Sequence, residues 1–199
     1  MARKFMERVF TPKVRKAEEA AYGRSFAVPS GGEPDALGPE ERAFIADRDS
    51  FYMATVTEDG WPYIQHRGGP RGFLQVLDAH TLAFADLGGN RQLVSVGNLE
   101  GDARVALFLM DYAQQARLKI LGRAKVLDLR QHPAEGERRL GGSLPPRAER
   151  LFILDIEGFD WNCPQHITPR YDPEQVAEAL APLKARIAEL EARLAARPA

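Results

Sequence analysis

The chain has 199 residues, of which 44% are hydrophobic and 28% are charged, values close to the averages for soluble globular proteins. Its formal net charge of −1 excludes an overall field that would draw it to nucleic acid or to an acidic membrane. Its single cysteine, Cys163, excludes an internal disulfide and fits a reducing compartment, and the basic N-terminus lacks the apolar core of a signal peptide. We therefore expect one domain and a cytoplasmic location.

The first 50 residues predict a helical N-terminal extension. Apolar residues at roughly helical spacing predict one or two short helices over residues 3–22, and Pro12 suits the first turn of the second. Residues 25–38 are rich in Gly, Pro and Ser and predict a loop. A further helix is expected to begin at residues 38–42, where two glutamates suit the positive end of a helix dipole.

Residues 51–171 predict antiparallel strands that close into a barrel. About six runs rich in β-branched and aromatic residues follow one another at hairpin-like intervals, without a strand–helix–strand rhythm, which favours an antiparallel barrel over a doubly wound sheet. The expected strands are residues 51–57, 61–67, 81–85, 104–110, 118–129 and 151–156. Gly122 predicts a bulge in the fifth of them.

The segments between these strands predict loops and short helices. Turn residues, glycines and prolines mark where each strand is expected to end. The expected connections are a short strand or loop at 73–77, a glycine-bearing loop at 86–91, a short helix at 92–97, a turn at 98–102, a surface excursion with a short helix at 131–150, and an irregular segment at 159–170.

After Tyr171 the sequence predicts a C-terminal helix with an apolar stripe. The stripe consists of Val176, Leu180, Leu183, Ile187, Leu190 and Leu194, at spacings of 4, 3, 4, 3 and 4, which is the spacing of a coiled coil. Pro182 lies inside the segment and should kink or restart the helix. Because the stripe spans less than three heptads, packing on the chain's own barrel and packing on a partner subunit both stay open.

The strand at residues 61–67 ends on hydrogen-bonding side chains that a buried strand does not need. Gln65, His66 and Arg67 close the strand, and Gly68 and Gly69 follow. Strands favour β-branched and aromatic residues, whereas adjacent glycines permit another group to approach the backbone closely. This pattern predicts that an anionic, planar cofactor docks there.

The common nucleotide and metal motifs are absent from the sequence, which contains neither a G-x-G-x-x-G nor a G-x-x-x-x-G-K-[ST] loop. Cys163 and His166 offer one thiol and one imidazole, which could begin a metal site or form a nucleophilic pair. The lack of a second cysteine disfavours the metal site, and a separation of three residues does not establish the geometry of a nucleophilic pair. Arg67 and Arg91 are better candidates, because guanidinium groups bind phosphate with paired hydrogen bonds and Arg91 precedes an expected helix N-terminus. Both arginines could equally be solvated surface charges.

Several segments together resemble the pyridoxamine 5′-phosphate oxidase-like flavin-binding proteins. The similarity covers residues 40–171 and rests on the segments 51–56, 59–70, 72–74, 84–86, 89–92, 97–99, 110–112, 117–122 and 160–170. The last segment, DWNCPQHITPR, resembles the closing motif of one uncharacterised branch of that superfamily. The resemblance implies a mainly β fold: an antiparallel split β-barrel with flanking helices and a C-terminal helix. It also implies a homodimer with FMN at the interface.

We expect a single domain over residues 1–199, with an N-terminal extension at 1–50, the barrel at 51–171 and the C-terminal helix at 172–199. The resemblance also transfers site residues. Those implied to bind the cofactor are Gln65, His66, Arg67, Gly68, Asn90, Arg91, Arg117, Trp161 and Arg170. Candidates for the substrate side of the pocket are Lys119, Gln165 and His166. No metal ligand and no catalytic residue are assigned.

The sequence departs from the oxidases at three of these places. Asn90 and Arg91 fall where the oxidases place an Arg-Lys pair on the FMN phosphate, so one of the two charges is lost. Arg117 replaces a glutamine that the oxidases contribute from the neighbouring subunit. Trp161 and Arg170 match residues that close the flavin pocket, but their separation of nine residues is one fewer than in the oxidases.

The resemblance implies an FMN-dependent oxidoreductase, with NADH or NADPH as a possible electron donor. Synthesis of vitamin B6 is not expected. The oxidases recognise the pyridoxal phosphate substrate through an Arg and a His of a C-terminal segment, and this sequence has no counterpart of that segment. The alternative is a non-catalytic carrier or sensor that binds flavin or haem. The sequence does not indicate the substrate.

Overall fold

A computed structural model describes residues 3–28, 31–89, 91–142, 144–161 and 164–196. The helices in this part of the chain are α1 (Arg3–Val9), α2 (Pro12–Tyr22), α3 (Pro39–Ala46), α4 (Val94–Gly101), α5 (Pro133–Leu140) and α6 (Pro173–Ala195), with a short 3-10 helix at Pro164–His166. The strands are β1 (Ser50–Val56), β2 (Pro62–Gly68), β3 (Gln75–Val76), β4 (Thr81–Asp86), β5 (Arg104–Asp111), β6 (Ala116–Asp128) and β7 (Arg150–Trp161).

The seven strands form one antiparallel sheet in the order β2-β1-β5-β6-β7-β4-β3. The sheet curls on itself, because three strands separate β1 from β4 in this order, yet the rings of Phe51 on β1 and Phe84 on β4 meet edge-on at 5.3 Å. Buried side chains from β1, β4, β5, β6 and β7 belong to one hydrophobic core. The structure confirms the predicted fold class, a split antiparallel barrel with flanking helices.

The hairpin between β1 and β2 sets the position of the polar side chains at the end of β2. The two strands pair from Ser50 opposite Gly68 to Val56 opposite Pro62, around a turn at Glu58-Asp59-Gly60. Because side chains alternate along a strand, the half-buried Tyr63, Gln65 and Arg67 lie on one face of β2, and the exposed Ile64 and His66 on the other.

Gly122 lies at the predicted irregularity in β6. The pairing of β6 with β7 shifts register between Leu121 and Gly122. A Cβ at position 122 would lie 2.5 Å from the carbonyl oxygen of Asp155, so only glycine lets the two strands approach this closely.

Several element bounds differ from those expected from the sequence. The sequence predicts an irregular segment from residue 159 onward, whereas strand β7 continues to Trp161. The strand continues because β6 supplies pairing partners along the full length of β7. Helix α4 begins at Val94 and continues to Gly101, through the segment expected to be a turn. The short strand β3 raises the strand count to seven.

The terminal helices differ in how they contact the barrel. Phe5 of α1 is buried, and the Asp35 carboxylate accepts hydrogen bonds from the backbone N–H groups of Lys4 and Phe5 at 3.0 Å each. Helix α6 has no buried residue and runs unbroken through Pro182. It therefore does not pack on the barrel of its own chain.

Candidate functional site

A cavity of about 510 Å³ opens between the end of β2, the loop after β4, the start of α4 and the start of β7. Its size lies within the range of small-molecule sites. Its lining is rich in arginine, and these side chains are Arg67, Arg91, Arg130 and Arg150. Asp86 and Glu149 are the acidic residues of the lining. The cavity therefore has an excess of positive charge and suits an anionic ligand.

Arg67 is fixed in the wall of this cavity by a carboxylate and two aromatic rings. Its Nη1 lies 2.9 Å from Oδ1 of Asp86, and its guanidinium carbon lies 5.6 Å and 4.9 Å from the ring centroids of Phe84 and Phe152. Burial lowers the pKa of Arg67, while the charge of Asp86 acts in the opposite direction. The Nε of Arg67 is buried and makes no hydrogen bond within the described ranges, so it is a donor available to a bound group.

Arg150 completes a partly buried ion-pair network around Asp86. Its Nη1 lies 3.2 Å from Oδ2 of Asp86 and 3.0 Å from Oε2 of Glu149. Asp86 and Arg150 sit directly opposite each other on β4 and β7, so the strand pairing itself brings them together. Asp86 thus holds two arginines, one on each of its carboxylate oxygens.

The N-terminus of α4 borders the same cavity. The cavity lining includes residues 91–96, and no side chain caps the helix at Leu93, which has the left-handed φ of 55°. The first N–H groups of a helix have no intrahelical partner and attract anions. Arg91 also has a left-handed φ, 59°, and its exposed side chain lies beside these donors.

Gln65 is held by the buried first turn of α4. The hydroxyl of Ser95, which is 1% exposed, donates to Oε1 of Gln65 at 3.0 Å. The side chain of Gln65 therefore faces the cavity with its amide NH₂ directed by this bond. Gln65, Arg67 and Arg91, all proposed from the sequence, are brought together here.

His66 and Gly68 belong to the opposite face of β2. The ring of His66 meets Tyr52 edge-on at 5.6 Å, on the exposed side of β1 and β2. His66 also borders a smaller cavity that it shares with Gln65, Arg67, Gly68 and Phe84. The alternation of side chains along β2 thus places His66 on the other face from Gln65 and Arg67, outside the arginine-rich cavity.

Arg117 and Arg170 form a second cluster, whose contacts lie at the hairpin between β5 and β6. The guanidinium of Arg117 lies 5.3 Å from the Phe108 ring centroid, and that of Arg170 lies 4.9 Å from the Tyr112 ring centroid. Phe108, Tyr112 and Arg170 line a cavity of about 280 Å³ with the start of α6. None of the residues of this second cluster lines the arginine-rich cavity.

Trp161 and Lys119 make structural contacts within the chain. The indole Nε1 of Trp161 donates to Oε1 of Glu41 at 2.8 Å, and its ring meets Phe44 at 4.8 Å, which ties β7 to α3. The Nζ of Lys119 lies 2.6 Å from Oδ2 of Asp160 and 4.9 Å from the ring centroid of Phe5. Both side chains lie outside the arginine-rich cavity.

The remaining candidates lie near the C-terminal end of the barrel. Gln165 and His166 are exposed at the short 3-10 helix, and the next residue, Ile167, accepts a hydrogen bond from Gln115 at 2.6 Å. Asn90 and Cys163 lie outside the described residues. In the part of the chain that the structure describes, no group of three or more His, Cys, Asp or Glu residues could hold a metal ion, and no helix is long and apolar enough to cross a membrane.

Sequence reasoning missed several side chains of the site, and the ones that fix its geometry are Asp86, Ser95 and Arg150. Asp86 and Arg150 begin or end neighbouring strands, and a charged residue at each of two strand ends is the only local signal. Ser95 carries no signal, because its role depends on how α4 packs on β2.

Comparisons with known proteins identify a matching family model and structures with a similar fold. The family model described as pyridoxamine 5′-phosphate oxidase matches residues 37–157. The structure of a HupZ variant from Group A Streptococcus shares the fold, with a TM-score of 0.50 and 13% identity over 63% of this chain and 99% of that chain.

Two further structures are similar at lower TM-scores. A protein from Lactobacillus delbrueckii, named provisionally as a pyridoxamine 5′-phosphate oxidase, has 22% identity over 63% of this chain and 94% of that chain, with a TM-score of 0.49. An FMN-binding protein from Syntrophomonas wolfei has 14% identity over 61% of this chain and 83% of that chain, with a TM-score of 0.44. No curated protein sequence matches the chain significantly. Because the family model spans more than half of the sequence, the chain belongs to the pyridoxamine 5′-phosphate oxidase family.

Proposed function

We propose that this chain is a homodimeric FMN-dependent oxidoreductase whose cofactor occupies the arginine-rich cavity. The observation that supports this most strongly is the convergence of Gln65, Arg67, Arg91 and the uncapped start of α4 on one cavity. A flavin mononucleotide needs a site for a phosphate dianion and polar donors along a planar ring. Both kinds of group line this cavity.

The phosphate end of the site is formed by Arg91 and α4. The free N–H groups of the first helical turn and the positive end of the helix dipole favour a dianion, and Arg91 adds a guanidinium that can donate two parallel hydrogen bonds. Arg67 contributes less here than the sequence suggested, because Asp86 already balances its charge at 2.9 Å. We expect Arg91 to be the main side-chain ligand of the phosphate.

Gln65 and Arg67 suit the ring end of the site. When bound, the flavin supplies the hydride chemistry, and the protein supplies binding, orientation and electrostatic tuning. The buried Nε of Arg67 can donate a hydrogen bond to an acceptor on the ring. Ser95 fixes the orientation of Gln65 through the 3.0 Å hydrogen bond.

The homodimer is supported by an exposed apolar face on the outside of β1 and β2. Ile64 and Tyr52 are 63% and 39% exposed, and Tyr52 pairs with both His66 and Phe108 across neighbouring strands. A contiguous exposed apolar surface of this kind is typical of a protein–protein interface. We propose that this face, the β1–β2 face, meets a second copy.

The second cluster, together with Trp161, would then complete the cofactor site from the partner subunit. Arg117, Trp161 and Arg170 do not line the arginine-rich cavity of their own chain, which is the arrangement expected of groups contributed in trans. Gln165 and His166, exposed near the same end, remain candidates for the substrate side. Lys119 is less suited, because it is paired with Asp160 and covered by Phe5.

Two features bear on the type of activity. Beyond Tyr171 the chain forms the exposed helix α6 rather than a segment that could read pyridoxal phosphate, which supports a substrate other than a vitamin B6 precursor. A single cysteine in the sequence supports action in the cytoplasm, where thiols stay reduced.

The absorption spectrum of the purified chain tests the proposal. We expect flavin absorption bands, after addition of FMN where the cofactor is lost in purification, and bleaching of these bands by NADH or NADPH without air. A bound flavin that neither nucleotide reduces would indicate a carrier or sensor. A colourless protein that takes up no FMN would contradict every flavin-based function, and a haem spectrum would indicate a haem carrier.

A further inference from the structure

Helix α6 exposes an apolar stripe that its own chain leaves uncovered. None of its residues is buried, although its stripe residues are large and apolar. The exposed fractions are 44% for Val176, 40% for Leu180, 59% for Leu183, 55% for Ile187, 46% for Leu190 and 68% for Leu194. Apolar area left in water favours association, so the stripe requires a partner.

The stripe has the residue order of a two-stranded coiled coil. Spacings of 4, 3, 4, 3 and 4 put Leu180, Ile187 and Leu194 at heptad position a, and Val176, Leu183 and Leu190 at position d. The central layers combine β-branched Ile187 at a with leucines at the flanking d positions. This combination favours a parallel dimer over higher oligomers.

The charges beside the stripe select the parallel orientation. Arg186 occupies position g and Glu191 the following e position, so in a parallel pair each Arg186 faces Glu191 of the second copy. In a fully overlapping antiparallel pair, g positions face g and e positions face e. Arg186 would then lie near Arg186 of the second copy, and Lys184 near its own equivalent. Like charges at both places disfavour that arrangement.

Pro182 does not obstruct such a pairing. It falls at heptad position c, on the side of the helix away from the stripe, and the helix continues through it. The missing backbone N–H therefore costs a hydrogen bond on the solvent side, while Leu180 and Leu183 on either side of it keep their places in the stripe.

The start of α6 lies next to the proposed dimer interface. Asp172 and Gln175 line the same cavity as Tyr52, Phe108 and Met110, and Tyr52 belongs to the β1–β2 face. A second copy docked on that face would bring two α6 helices to neighbouring positions. Because tethering raises the effective concentration, a stripe shorter than three heptads can pair there although it would be marginal alone.

We propose that α6 forms a parallel, two-stranded coiled coil with α6 of a second copy of this chain. The proposal rests on the homodimer described under the proposed function. The coiled coil extends the dimer contact beyond the barrel and binds no cofactor.

Cysteine cross-linking of the full-length chain tests the pairing and its orientation. In a Cys163→Ser background, Leu190→Cys places identical thiols across the axis of a parallel coil, within disulfide reach. We expect mild oxidation to convert most of this variant to a species of doubled mass on a non-reducing gel. Ala192→Cys, at the outward position f, is the matched control and should stay at monomer mass.

Three cross-linking results would overturn the proposal. Equal cross-linking of Leu190→Cys and Ala192→Cys, or none in either, would show that the stripe does not pair in register. In a mixture of the Leu180→Cys and Leu190→Cys variants, cross-linking only between the two different variants would show an antiparallel pair, because positions 180 and 190 face each other in that arrangement.

Light scattering and FMN titration of the unmodified chain separate this proposal from the proposed function. A flavin-binding dimer whose Leu190→Cys variant does not cross-link would contradict the coiled coil and leave the function standing. A chain that cross-links through Leu190→Cys but takes up no FMN would contradict the function and support the coiled coil.

Discussion

Arg67 and Asp86 join two strands that lie near opposite ends of the sheet order, with Nη1 and Oδ1 2.9 Å apart. Strand β2 is the first in that order and β4 the last but one, so this contact bridges the gap that splits the barrel. The same carboxylate accepts Arg150 at 3.2 Å. A single acid thereby fixes the wall of the proposed cofactor cavity.

Replacement of Asp86 by asparagine should destabilise the fold. The change leaves two largely buried guanidinium groups, Arg67 and Arg150, without their shared counter-charge. We expect a loss of about 3 kcal/mol in the free energy of unfolding, measured by urea denaturation. Asp155→Asn is the matched control, because its pair with Lys125 is exposed and 3.8 Å long, and it should cost under about 0.5 kcal/mol. Equal losses in both variants would contradict the structural role of Asp86.

The strands could be predicted closely from the sequence, because their signals are local. The turn at Glu58-Asp59-Gly60 fixes the β1–β2 hairpin, and Gly122 marks the register shift in β6. The end of β7 could not be predicted, since Phe159 and Trp161 continue the strand only because β6 is long enough to pair with them. The extent of α4 was also missed, because its glycines at positions 97 and 101 suggest a turn.

Trp161→Phe should separate a structural role from a role in cofactor binding. The change removes the indole donor from Glu41, a residue that is 8% exposed, and leaves one carboxylate oxygen without that bond. We expect a loss of about 1–3 kcal/mol in the free energy of unfolding, measured by thermal denaturation. If Trp161 also closes the site of the partner subunit, FMN affinity should fall in the same variant.

The control for this variant keeps the tryptophan and changes its acceptor. Glu41→Gln retains an oxygen that can accept from the indole, so it should leave FMN affinity unchanged whatever its effect on stability. An equal loss of FMN affinity in Glu41→Gln and Trp161→Phe would show that folding of α3 alone accounts for the effect, against a direct contact of Trp161.

The carboxyl group of Asp128 should stay ionised at acidic pH. A side-chain and a backbone hydrogen bond from Arg130 lower the pKa of Asp128 from 3.8 to about 2, with Arg130 Nε at 3.0 Å from Oδ1. Because the pKa of the folded state is depressed, this pair stabilises the fold above pH 3.8 and the contribution is lost as the pH falls from 3.8 towards 2.

An NMR titration of the side-chain carboxyl carbon of Asp128 checks this value. At pH 3 the group should still be mostly charged in the unmodified chain, and less charged in Arg130→Gln, which keeps the backbone hydrogen bond to Asp128 but loses the guanidinium. Identical titration curves in the two proteins would show that Arg130 does not hold Asp128, and so that the rim of the cavity is differently arranged.

The candidate site was only partly predictable, for reasons of distance along the chain. Gln65 and Arg67 stood out because they end an apolar strand, and Arg91 because a glycine loop precedes it. The partners that fix them do not lie nearby in sequence: Ser95 is 30 residues from Gln65, and Arg150 is 64 from Asp86. The alternation of side chains along β2 also places His66 on the outer face. The three consecutive polar residues Gln65, His66 and Arg67 do not reveal this difference when they are read only as a sequence motif.

Fluorescence titration of the chain with FMN and with riboflavin tests most directly whether the flavin phosphate binds at Arg91 and the start of α4. The unmodified chain should bind FMN more tightly than riboflavin, which lacks the phosphate. Arg91→Ala should weaken FMN binding by roughly tenfold or more, the effect of a lost charge-assisted hydrogen bond, and leave riboflavin binding unchanged. Arg104→Ala, at an exposed arginine outside the cavity lining, should alter neither. An FMN titration of Arg91→Ala that overlays that of the unmodified chain would contradict the proposed site.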